Sequence, residues 1–145
     1  MNVYEVRFRT SAHSAGDPDS KVGYSHKPDH RDWTRGKSQW QIDLSAECSI
    51  FTDAMTHRWR SGKFAWGLFR QTEKVRYLGV DRDHETAVFI ARFDEHSPDQ
   101  WHGYPVNHKQ CQQRPPEGVL FDWMTKKFLS APKVRKIASG QRCAI

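Results

Sequence analysis

Three apolar-rich stretches, residues 64–70, 75–80 and 86–93, follow one another with only Gln71-Thr72-Glu73-Lys74 and Asp81-Arg82-Asp83-His84-Glu85 between them. Polar breaks this short leave no room for a crossover helix, so the strands they join are expected to pair as antiparallel hairpins. An antiparallel meander at the centre of the chain is the strongest constraint on its fold.

Two more segments carry the period-2 pattern of a strand with one face buried. Tyr4, Val6 and Phe8 alternate with Glu5, Arg7 and Arg9, and Trp40, Ile42 and Leu44 alternate with Gln41, Asp43 and Ser45. Residues 45–57 also suit a short helix, through Cys48, Ile50, Phe51, Ala54 and Met55. Residues 11–37 read as a long polar loop, with Val22, Tyr24 and Trp33 its only large apolar side chains. Residues 95–113, broken by Pro98, Gly103, Pro105 and Asn107, read as a second connecting loop pinned by Trp101 and Tyr104.

The pattern changes to helical after Pro115 and Pro116. Leu120, Trp123, Met124 and Phe128 recur at helix spacing, and Ser130 can cap a second helix with Pro132 in its first turn and Val134, Ile137 and Ala138 on its apolar face. Gly140 supplies a stop. The expected fold class is α+β: a small antiparallel β-sheet of about five strands with a central meander, and a C-terminal basic helical hairpin. One domain is expected over 1–145, mainly β through residue 113, with the hairpin over 114–145. Several strand orders satisfy this pattern.

At 145 residues a domain buries roughly 70% of the surface its unfolded chain exposes. Six Trp, eight Phe and four Tyr concentrate the apolar area of this core in a few large side chains. Cys48, Cys111 and Cys143 are widely spaced and odd in number, which points to a reduced, cytoplasmic setting rather than a disulfide framework. The alternating charges of residues 1–9 do not form the apolar region of a signal peptide, and the longest apolar run, Ala87 to Ala91, is far below the ~20 residues of a membrane helix. No membrane partner is expected.

Charge is concentrated at one end. Residues 114–145 contain seven of the 23 basic side chains against only Glu117 and Asp122, so +5 of the net +6 lies in 32 residues. Arg114, Lys126, Lys127, Lys133, Arg135, Lys136 and Arg142 are therefore the candidate nucleic-acid contacts, since clustered cations neutralise phosphates and release counterions. The competing account is that they solubilise a helix pair and favour helix C-termini through the macrodipole. A second candidate is Trp101-His102-Gly103-Tyr104-Pro105, where Trp101, His102 and Tyr104 offer stacking faces and a proton-transferring imidazole. Core anchoring of a loop is the preferred account of Trp101 and Tyr104.

Other constellations are weaker. His96, His102, His108 and Cys111 match no zinc spacing, and Pro28 interrupts the His26–His30 pair, so no metal site or cofactor is expected. Asp81, Asp83 and Glu85 with His84 or His102 would suit metal-dependent phosphodiester hydrolysis, but the same residues build ordinary turns. Cys111 has basic neighbours, Lys109 and Arg114, but no assignable base. The leading expectation is a small intracellular binding protein for a polyanion, above all nucleic acid. The alternatives are an accessory subunit docking an acidic protein and a metal-dependent nuclease or phosphoesterase.

Overall fold

The computed structural model describes residues 3–10 and 20–145. Strands β1 (Val3–Phe8), β2 (Ser20–Ser25), β3 (Gln39–Trp40), β4 (Arg60–Ser61), β5 (Phe64–Gln71), β6 (Lys74–Arg76), β7 (Gly79–Val80), β8 (Ala87–Val88), β9 (Ile90–Ser97) and β10 (Gln100–Val106) are joined by helices α1 (Leu44–Thr56), α2 (Glu117–Thr125) and α3 (Ala131–Ala138). The large sheet runs β1-β2-β10-β9-β5-β4, with β6 attached to β5, and β3-β7-β8 form a second, smaller sheet.

The architecture is α+β, but the expected fold is corrected in four respects. In place of one small sheet of about five strands there are a seven-stranded sheet and a second, three-stranded one. The large sheet is mixed, because β2 lies parallel to β10 through Gly23↔Gln100 and Tyr24↔Trp101. The central meander does not form as expected: β5 pairs with both β6 and β9, while β7 and β8 leave for the second sheet. The helices are also not a lone C-terminal pair, since α1, the longest, lies mid-chain.

Three segment-level expectations are also revised. Within the expected loop 11–37, Val22 and Tyr24 alternate as a buried strand against Val6 and Tyr4; residues 11–19 lie outside the described residues. The expected strand from Trp40 stops at once because the Asp43 carboxylate accepts the Ala46 backbone N–H at 2.8 Å and caps α1. Glu47, Ile50, Phe51, Ala54 and Met55 then form the helix face that is buried. The expected loop 95–113 is mostly a β9–β10 hairpin, its turn closed at Pro98 and Asp99, with Asp99 at φ 59°.

β10 divides the molecule. Trp101 and Gly103 face α1, where a Cβ on Gly103 would lie 2.9 Å from the Tyr24 hydroxyl and closer still to the Phe93 ring. That close approach lets Tyr24, Phe51, Phe93 and Trp101 pack together, with ring centroids 4.7 to 5.9 Å apart. His102 and Tyr104 alternate with them and take the opposite face.

A polar network fastens this core. Glu47 on α1 has no solvent exposure. It accepts a short hydrogen bond from the Tyr24 hydroxyl and two from Arg31, Nε at 3.1 Å and Nη2 at 2.7 Å. Arg31 Nη1 also donates to the Ile42 carbonyl at 2.8 Å. Burial raises the Glu47 carboxyl pKa against the opposing pull of Tyr24 and Arg31. Removing one member of such a pair costs more than replacing both, because the survivor is stranded. Arg31→Met is expected to destabilise the fold by about 3 kcal/mol. Tyr24→Phe, which removes one hydrogen bond to that carboxylate, should cost about 2 kcal/mol, and urea titrations of both variants against the parent chain measure the two losses.

Candidate nucleic-acid interface

The chain after β2 makes a 3-10 turn at Pro28–His30 and loops back to β3. A buried glutamine holds this loop together. Gln39 Oε1 accepts the Trp33 backbone N–H at 2.8 Å, and its Nε2 donates to the carbonyls of Asp29 at 2.8 Å and Lys37 at 3.1 Å. His30 Nδ1 lies 2.7 Å from the Ser38 carbonyl, so it is the protonated nitrogen, and Nε2 carries the lone pair when the ring is neutral.

This loop forms one wall of a cleft of about 500 Å³ whose floor is the outer face of β10. Lys27, His30, Lys37, Arg82, His102 and Tyr104 line it. His30 stacks on Tyr104 with centroids 5.2 Å apart, and Tyr104 donates its hydroxyl to Asp94 Oδ2 at 2.9 Å. Burial and Asp94 push the Tyr104 pKa well above its usual value, so the phenol remains a donor. Burial, followed by the charge of Lys27, lowers the His102 pKa to about 4, and burial also lowers that of His30. The cleft therefore presents two neutral imidazoles among three cations near pH 7. Its carboxylates are engaged: Asp29 lies 3.9 Å from Lys37, and Asp81 accepts from the Asn107 side chain at 3.0 Å.

The cleft continues towards the C-terminal helices. It shares Asp81, Val106 and Asn107 with an adjoining hollow that reaches Lys109 and Arg142. Gln141, next to Arg142, lines a third, shallow depression with Arg135 and Lys136. The junction is fixed by His108, whose Nε2 donates to the Gln141 carbonyl at 2.6 Å.

The seven C-terminal cations divide by role. Arg114 donates from Nε to the His108 carbonyl at 3.0 Å and from Nη1 to Ala138 at 3.2 Å, which ties the end of α3 to the residues after β10. Lys126 pairs with Asp122 at 2.8 Å, and that carboxylate also accepts Trp59 Nε1 at 2.6 Å. Lys127, Lys133, Arg135, Lys136 and Arg142 make no ion pair with any described residue. Lys133 is half-buried and the other four are exposed.

Of the second candidate group, His102 and Tyr104 line the cleft, whereas Trp101 is wholly buried on the opposite face. They are not a loop; strand alternation separates Trp101 from the other two. His96 and His102 approach with Nδ1 atoms 2.8 Å apart, but no group of three His, Cys, Asp or Glu among the described residues is arranged to hold a metal. Asp83 accepts from the Glu85 and Thr86 backbones, both at 2.9 Å, and from the Thr86 hydroxyl, which lowers its pKa to about 2. Cys111 is an exposed free thiol. Lys27, Lys37 and Arg82 were not identified from the sequence, and His30 was considered only as a metal-ligand pair with His26, because no periodicity or motif connects the cleft residues.

No protein-family model, curated protein or solved structure matches the chain. No helix among the described residues is long and apolar enough to cross a membrane.

The low His102 pKa predicts how stability depends on acid. Between its ordinary 6.5 and the folded value near 4, the unfolded chain binds a proton at this position and the native chain does not. The His102 contribution is therefore complete above pH 6.5 and is lost as pH falls towards 4. His30 and His108, also lowered, act in the same direction. Thermal melts across this range should show His102→Gln losing less stability on acidification than the parent chain, and an imidazole NMR titration should place the His102 midpoint near 4.

Proposed function

We propose that the chain is a nucleic-acid-binding protein whose principal contact surface is the exposed side of α3 together with Lys127 and Arg142. The observation that carries this reading is that five C-terminal cations, Lys127, Lys133, Arg135, Lys136 and Arg142, are not neutralised by any described acidic residue. Cations that only solubilise a helix pair need no alignment with a cleft. Here Arg142 borders a hollow that includes Lys109 and adjoins the cleft of Lys27, Lys37 and Arg82, while Arg135 and Lys136 border a separate depression with Gln141, the residue before Arg142. Cations distributed in this way suit a phosphate backbone. A cytoplasmic setting agrees with three free cysteines.

One exposed aromatic supports the second reading, an accessory subunit docking an acidic protein. Phe121 on α2 is 63% exposed, close in sequence to Lys126 and Lys127. That reading expects a stoichiometric protein partner and no affinity for nucleic acid. The metal-dependent phosphoesterase has no comparable support, because Asp83 engages both carboxylate oxygens in its own turn.

Binding to labelled single strands and duplexes across a salt series tests the proposal. Five phosphate contacts correspond to a log–log salt slope of about −3.5 on single strands and about −4.5 on duplex DNA. Replacing Lys133, Arg135 and Lys136 together by Gln should reduce the magnitude of that slope by about 2 to 3 and weaken binding at every sequence. Unchanged affinity and slope in the triple variant would reject the reading.

A further inference from the structure

Trp33 has no place in the core. It is 53% exposed, the most exposed tryptophan, and lies outside the apolar clusters that hold Trp40, Trp59, Trp66, Trp101 and Trp123. Its backbone is left-handed at φ 63°, where a bulky side chain is disfavoured, and the Gln39 side chain holds it there through the Trp33 N–H. Beside it His84 is also left-handed, at φ 60°, with its ring edge-on to Trp33 at a centroid distance of 5.2 Å. His84 Nε2 donates to the Lys37 carbonyl at 2.8 Å, which locks the aromatic pair to the cleft wall.

An indole held in the open by a buried polar side chain is a platform for a flat partner. Trp33 does not itself line the cleft, but it belongs to the same loop as the lining residues Gly36, Lys37 and Ser38, and its neighbour His84 is bonded to Lys37. The cleft contains Lys27 and Arg82, neither of which makes an ion pair with a described residue, and Lys37, which pairs with Asp29 at 3.9 Å. An aromatic face near two unpaired cations, Lys27 and Arg82, matches the two halves of a nucleotide, a base with a π-face and a phosphate. Duplex bases are stacked on each other and cannot offer a free face to Trp33.

We propose that Trp33 and the Lys27–Lys37–Arg82 cleft together receive one unpaired nucleotide of a single-stranded nucleic acid, with its base on the indole and its phosphate among the three cations. This rests on the nucleic-acid reading above and adds a preference for single strands. The neutral His30 ring keeps Nε2 as an acceptor for a sugar hydroxyl, and the stacked His30, Tyr104 and His102 rings give the cleft flat apolar surfaces beside it. The hollow that adjoins the cleft reaches Lys109 and Arg142, so the adjoining nucleotides would run towards those residues.

The test compares oligothymidine and oligouridine with a duplex of equal phosphate number, in binding to the parent chain, Trp33→Ala, Trp33→Phe and the Lys27→Gln/Arg82→Gln pair. Trp33→Ala is expected to weaken single-strand binding about tenfold, leave duplex binding and the salt slope unchanged, and be largely rescued by Phe. The Lys27/Arg82 pair should reduce the single-strand slope magnitude by about 1 to 2. If Trp33→Ala leaves single-strand affinity unchanged, or weakens duplex binding equally, the nucleotide site is overturned while the α3 reading stands. If the parent binds neither strands nor duplex, both fall. Circular dichroism and thermal melts of each variant, unchanged from the parent, establish that losses reflect the surface rather than the fold.

Discussion

The buried Glu47 carboxylate links three elements of different kind. Tyr24 comes from a strand inside the large sheet, Glu47 from α1, and Arg31 from the loop that walls the cleft. Without Arg31, that loop would rest mainly on the Gln39 hydrogen bonds, and a wholly buried acid would lose its cation. Apolar packing alone would hold α1 on the sheet. The network adds directionality, because a charge-assisted hydrogen bond is satisfied in only one geometry. The loop that presents His30, Trp33 and Lys37 is therefore positioned from within the core.

A similar economy governs β10. One strand supplies Trp101 to the α1 face and His102 and Tyr104 to the cleft face, so core packing fixes the floor of the site. Gly103 lies between them and allows the Phe93 ring to approach the backbone. Asp94, opposite His102 on β9, accepts both Tyr104 and Arg92 and orients the phenol without entering the cleft as a free charge. The result is a polar floor whose donors are largely committed before any ligand arrives, which is the condition for binding without reordering.

Local alternation corresponds to β1, the apolar run 64–70 to β5, and helix spacing around Leu120, Trp123 and Ile137 to α2 and α3. Pairing was not legible. Partner choice for β2 depends on Gly23 and Tyr24 meeting Gln100 and Trp101 from a distant part of the chain, and no local pattern encodes a parallel neighbour. The strand at 39–40 was overextended because Ile42 and Leu44 continue the alternation, while the Asp43 cap that ends it is a single hydrogen bond. The basic character of residues 114–145 was plain from composition. Its division into pinned Arg114, paired Lys126 and five unneutralised cations was not, because partners such as Ala138 and Asp122 are set by tertiary geometry. The cleft was the least visible feature, since its wall comes from segments whose side chains point to no shared face until Gln39 gathers them.

The parallel register of β2 on β10 also has a kinetic side. The two strands are separated by more than half the chain, so closing this pair requires a long loop whose entropy is lost before its contacts form. Local elements such as the β9–β10 hairpin and the C-terminal helices can form first, and the β1–β2 ribbon docks only after β10 exists. The placement of the cleft wall beyond β2 thus depends on a contact between segments far apart in the chain, whereas α2 and α3, which follow each other directly, depend on local contacts.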